Sequence, residues 1–163
     1  MLTLPKIVER PAQPYVAVRQ KVDIPFDQHI GSAMGELFAT IESQKLQEVG
    51  PAFFKYNIVK MPELEIEFGA PVSGQAVAGG RFITGILPAG RYVEMTYFGH
   101  YDDLMEVTAI LIGWAKHKGL EWDAETHPDG DHFACRLEIY HNSPDEEPDP
   151  AKWETTLAFK LKD

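Results

Sequence analysis

Residues 91–118 read RYVEMTYFGHYDDLMEVTAILIGWAKHK, and two structural periods meet inside them. Arg91 to Phe98 is rich in aromatic and β-branched residues, as a half-buried strand requires. From Asp102 to Lys118 the spacing is helical: Leu104, Val107, Leu111 and Trp114 form one apolar stripe, Asp102 and Asp103 suit the positive N-terminal end, and Gly119 suits a C-terminal cap. The same order stands earlier in the chain. Gln13 to Gln20 reads as a strand, and Gln28 to Val49 as a helix striped by Ile30, Met34, Leu37 and Ile41 that ends at Gly50-Pro51. Pro14-Tyr15-Val16 precedes the first helix as Arg91-Tyr92-Val93 precedes the second. Each helix is followed by two strands: Phe53 to Val59 and Glu63 to Phe68, then His132 to Tyr140 and Thr155 to Lys162. An extra strand, Arg81 to Leu87, turns into the second unit through Leu87-Pro88-Ala89-Gly90. The predicted fold is α+β, a tandem βαββ repeat in a single domain over residues 1–163 with halves of about 1–79 and 80–163. About eight antiparallel strands are expected to form a curved sheet, with two long helices on one side and a ligand cleft on the other.

Composition bounds what such a domain does. The 163 residues carry 25 Asp and Glu against 15 Lys and Arg, a formal charge of −10, which argues against a phosphate-binding surface and so against direct contact with nucleic acid. Residues 121–163 hold 12 acids and 4 bases, so most of the excess lies there, much of it in the loop SPDEEPDP at 143–150. The single cysteine, Cys135, excludes an internal disulfide framework and a thiolate metal cluster, and the expected compartment is the cytoplasm. No apolar run approaches the length of a membrane span. The six histidines form no ligand pattern: His127 and His132 flank a turn rather than sharing a helix face, so neither a metal nor a cofactor is expected. No nucleophile elbow, phosphate-binding loop or dinucleotide fingerprint occurs.

Strand alternation sorts the remaining candidates. In the strand ending at Tyr140, Phe133, Cys135, Leu137 and Ile139 share one face and Ala134, Arg136, Glu138 and Tyr140 the other. The first set reads as core. If the face away from the helices curls, Glu138 and Tyr140 of the second set would line a concave aromatic pocket. In the first half, Tyr56 stands between Phe54 and Ile58 on one face, opposite Lys55 and Asn57. Residue by residue the reading stays open: Glu138 can pair with Arg136 or Arg19 on a solvated face, and Trp114 can be simple core packing.

Together these segments resemble the GyrI-like small-molecule-binding domain, the fold of effector-binding modules in multidrug-responsive bacterial transcription regulators. The resemblance is carried by Tyr15-Val16-Ala17-Val18-Arg19, the passage from Gly50-Pro51 to Tyr56, Glu67-Phe68-Gly69-Ala70-Pro71-Val72, Leu87-Pro88-Ala89-Gly90-Arg91-Tyr92, Gly99-His100-Tyr101, Trp114 and Arg136-Leu137-Glu138-Ile139-Tyr140. It implies a cleft between the two halves in which a buried glutamate, matching Glu138, meets lipophilic and often cationic aromatic molecules. Trp114, Trp153 and Tyr56 are the aromatic positions the resemblance implies for it, beside Tyr140 from the strand alternation.

Three functions follow from the resemblance. The first is stand-alone binding of lipophilic small molecules, since the elements take up the 163 residues and leave none for a DNA-binding helix pair. The second is hydrolysis of cyclopropane-containing genotoxins in the same pocket, with Glu138 and Trp114 as catalytic residues. The third is a protein-interaction module similar to gyrase inhibitors.

Overall fold

The computed structural model describes all 163 residues. Its strands are β1 (Lys6–Arg10), β2 (Gln13–Asp23), β3 (Gln47–Glu48), β4 (Phe53–Lys60), β5 (Glu63–Ser73), β6 (Phe82–Leu87), β7 (Gly90–Phe98), β8 (Ala124–His127), β9 (Gly130–Phe133), β10 (Arg136–Tyr140) and β11 (Glu154–Lys160). The helices are α1 (Asp27–Ser43) and α2 (Leu104–His117). The principal sheet runs β1-β7-β11-β10-β4-β5-β2-β6 and its neighbouring strands are antiparallel.

This order displays the repeat. On one side of the β10–β4 junction lie β10, β11 and β7; on the other lie β4, β5 and β2, in the corresponding order. Each trio carries its own helix, because each helix connects the outermost strand of its trio to the one at the junction. The flanking strands are exchanged: β1, which precedes the first unit, pairs with β7 of the second, and β6, which precedes the second, pairs with β2 of the first. The exchange ties the halves together at both edges.

Several boundaries differ from the periodicity. Helix α1 stops at Ser43 rather than Val49, because Lys45 takes a left-handed backbone with φ of 56° and Gln47–Glu48 then pairs with β5. Gly119, at φ of +70°, ends α2 as expected. The strand read as His132 to Tyr140 is broken at Ala134–Cys135: its first part, β9, makes a hairpin with β8 and pairs with the far end of β4, while Arg136–Tyr140 pairs with the start of β4 and with β11.

Both faces of the sheet are buried. On one, Leu37 and Ile41 of α1 pack with Val16, Val18, Ile66 and Phe68, while Val107 and Leu111 of α2 pack with Val93, Met95, Leu157 and Phe159. On the other, the sheet curls into a half-barrel, so that residues from the β1 and β6 edges, Val8 and Ile83, reach the same cluster as Tyr15, Phe53, Tyr92, Leu137 and Ile139. Removing side chains of this size from water is worth about 1.5–3 kcal/mol each before conformational entropy is counted, so each face is a core in its own right. Inside the curl Glu67 is buried, accepting 2.6 Å from the Tyr15 hydroxyl and pairing with Arg19 at 3.1 Å. No helix is long and apolar enough to cross a membrane.

Candidate functional site

One helix per half leaves a groove over the junction, and its floor comes from the two central strands. Glu138 of β10 stands opposite Phe54 of β4 in the register, and alternation turns Arg136, Glu138 and Tyr140 to the same side as Phe54 and Tyr56. Ile30, Met34 and Phe38 of α1 form one wall and Met105, Thr108, Ala109 and Ile112 of α2 the other. The groove encloses a cavity of about 1320 Å³, large enough for a drug-sized molecule. It opens between the helices. The cleft expected on the face away from them is therefore on the helix side, and Cys135, Leu137 and Ile139, read as the core set, face the half-barrel.

At the floor, Glu138 is buried at 9% exposure. Its Oε1 accepts from the Tyr56 hydroxyl at 2.8 Å and from the Tyr140 hydroxyl at 2.6 Å. Its Oε2 has no protein donor and is not sealed off, so it keeps access to the cavity. Burial pushes the carboxyl above the usual carboxylate range, against the hydrogen bonds from Tyr140 and Tyr56 and the field of Arg136. Burial likewise raises the hydroxyls of both tyrosines, with the neighbouring carboxylate adding to it, so they remain donors. Arg136 does not neutralise Glu138 by contact. Its guanidinium packs 4.7 Å from the Phe159 ring, 4.9 Å from Phe133 and 5.5 Å from Tyr56, and its buried Nε has no partner.

Of the expected aromatic residues, Tyr56 and Tyr140 line the cavity and meet at Glu138. Trp153 does not line it: its ring lies behind Tyr101, stacked at 4.5 Å, and its indole N–H donates 2.7 Å to the Glu147 carbonyl. Trp114 stands apart from the cavity, packed at the edge of the α2 core below Lys118. The stripe that made it conspicuous is the stripe that buries α2 against the sheet, so it points away from the groove.

The sequence reading missed both helix walls and Tyr101. Signals for them existed. Ile30, Met34 and Phe38 recur every four residues, and Met105, Thr108, Ala109 and Ile112 form a second row beside the core stripe of α2. Tyr101, in the short turn Tyr101–Asp103 before α2, meets Tyr140 edge-on at 5.6 Å and donates to the Asn142 carbonyl at 3.3 Å.

The family model for the GyrI-like small molecule binding domain matches residues 4–162. The chain belongs to this family. Among solved structures, this GyrI-like chain is similar to the crystal structure of the EcmrR C-terminal domain, with 18% identity, a TM-score of 0.77 and coverage of 98% of this chain and 97% of that one. It is also similar to EcmrR in a cryo-EM complex with DNA, with 20% identity and a TM-score of 0.78, where 98% of this chain spans 57% of that chain. A hydrolase from Listeria innocua matches with 16% identity, a TM-score of 0.63 and coverage of 97% and 91%. SAV2435 bound to tetraphenylphosphonium matches with 10% identity, a TM-score of 0.65 and coverage of 98% and 94%. At these identities the likenesses establish a shared fold. No curated protein sequence matches the chain as a relative.

Proposed function

We propose that this GyrI-like domain binds lipophilic, cationic aromatic molecules in the groove between α1 and α2, with Glu138 as the charge that selects them. The observation that carries this reading is the open Oε2 of a buried carboxylate at the floor of a cavity walled by apolar side chains of both helices. A carboxylate held out of water gains most from a cation that replaces its lost hydration, and each aromatic face adds about 0.5–2 kcal/mol toward that cation. Phe54, Tyr56, Tyr101 and Tyr140 supply such rings, while Met34 and Met105 are deformable enough to fit guests of different shape. The likeness to SAV2435, whose structure holds tetraphenylphosphonium, supports the same class of guest. The test is calorimetric titration with tetraphenylphosphonium and with neutral triphenylphosphine oxide. Glu138→Gln should weaken the cation at least about tenfold, or 1.4 kcal/mol, and the neutral compound far less. An unchanged cation affinity in that variant removes Glu138 from recognition.

The raised pKa of Glu138 favours one second reading, in which the protonated carboxyl gives its proton to a strained ring as water opens it. The fold shared with the Listeria innocua hydrolase supports it at the level of architecture. Incubation with a cyclopropane-bearing DNA alkylator should then yield a product heavier by one water, and that product should disappear with Glu138→Gln. In this version Trp114 has no place at the reacting atoms, since it lies outside the cavity.

A further inference from the structure

The loop from Ser143 to Pro150 holds four acids, and the structure uses them in two ways. Glu147 and Asp149 build the loop: Glu147 Oε1 accepts from the Asp149 amide at 3.0 Å, and Asp149 Oδ1 accepts from the Ala151 amide at 3.0 Å. Asp145 and Glu146 build nothing. Their carboxylates take part in no hydrogen bond or ion pair, and both line the cavity. The loop that carries them is held at several points. The Glu147 amide donates to the Ser143 carbonyl at 2.9 Å, the Trp153 indole to the Glu147 carbonyl at 2.7 Å, and Asn142 Nδ2 to the Lys152 carbonyl at 3.0 Å. Tyr101 bridges the two levels of the site: its ring meets Tyr140, whose hydroxyl holds Glu138, and its hydroxyl reaches Asn142 at the root of the loop.

We infer that the groove is a two-level anion site for elongated dications, with one cationic centre at Glu138 on the floor, the aromatic body against Tyr140 and Tyr101, and the second cationic centre at Asp145 and Glu146 on the rim. The inference rests on the proposed binding function and names its ligand class. The charge of the lining agrees: six acidic residues, Asp27, Glu48, Asp102, Glu138, Asp145 and Glu146, line the cavity with Arg136 as the sole Lys or Arg. The inner charge is desolvated and selects. The outer pair is exposed, so its contribution is smaller and falls with ionic strength.

Ethidium and propidium share one phenanthridinium ring system and differ by a second, quaternary ammonium arm, so they separate the two levels. Fluorescence titration at low salt should give propidium the tighter binding by about two- to fivefold, the range expected of exposed charge contacts. Asp145→Asn with Glu146→Gln should bring that ratio close to one while leaving ethidium nearly unchanged. Glu9→Gln with Glu121→Gln removes the same net charge at exposed sites outside the cavity and should leave the ratio intact. Equal affinities for the two dyes in the wild-type protein, or the same loss of preference in both double variants, overturns the rim subsite while ethidium binding sustains the function. Failure of both dyes to bind overturns the two together.

Discussion

Tyr101 lies nearly flat on Trp153, ring centroids 4.5 Å apart and planes inclined by 25°. The stack makes Tyr101 the wall of the cavity and Trp153 its backing, joined through the indole N–H to the acidic loop. Tyr101 presents its ring to the cavity, and Trp153 packs behind that ring.

Substitution at the two positions should therefore differ. Tyr101→Ala should weaken tetraphenylphosphonium by about tenfold through loss of an aromatic contact, near the middle of the range for cation–ring attraction. Trp153→Phe should leave that affinity within about twofold, because a ring remains behind Tyr101, yet it deletes a hydrogen bond worth about 1 kcal/mol to the loop. Limited proteolysis should report the second effect as faster cleavage within residues 143–150.

Cation binding should depend on pH with a definite sign. Burial raises the Glu138 pKa, so part of the carboxyl is protonated in the empty cleft at pH values where an exposed glutamate is already charged. Affinity should climb as pH rises through that raised value and level off above it. Binding should also release up to about one proton per ligand, seen as a heat that varies with buffer ionisation enthalpy. Glu138→Gln should abolish both effects.

The same burial places a cost on the empty protein. Because the folded-state pKa of Glu138 is raised, its contribution to stability is intact below the ordinary carboxylate range and is lost as pH rises through the folded value. Glu138→Gln should therefore raise the melting temperature at pH 8, by about 2–4 °C for each kcal/mol recovered, and by much less at pH 4. Scanning calorimetry at the two pH values measures the difference.

Trp114→Phe should leave ligand affinity unchanged within about twofold while lowering stability by about 0.5–2 kcal/mol, as for a partly buried packing residue. Denaturant titration beside the binding assay separates the two readouts. A loss of affinity at constant stability would return Trp114 to the site.

Gly69 tests the curl of the sheet. A Cβ there would stand 2.8 Å from ring atoms of Phe53 and 3.0 Å from the Val16 carbonyl oxygen, closer than side chains approach. Gly69→Ala should cost about 1–3 kcal/mol, read from denaturant midpoints.

Local periods made much of this molecule legible from its residues. Period two placed Glu138 with Tyr140 and Tyr56 with Phe54, and the helical spacing of Leu104, Val107 and Leu111 marked the buried face of α2, because alternation and helical pitch are properties of neighbouring residues. The duplicated order gave the tandem arrangement for the same reason. Two matters lay beyond such patterns. Which face the helices cover is invisible when both are apolar: Leu137 and Ile139 reach one core and Phe54 and Tyr56 another, and hydrophobicity does not say which lies under α1 and α2. The second matter is pairing across the junction. Only the register of β10 against β4 brings the Tyr56 hydroxyl to Glu138 across 82 residues of chain, and only the stack of Tyr101 on Trp153 seats the acidic loop on the cavity rim. The repeat and the neighbours along each strand are written in local residue order. Which side of the sheet holds the cleft, and which aromatic rings line it, follow from long-range strand pairing and helix placement, because these rather than any local period set the distances.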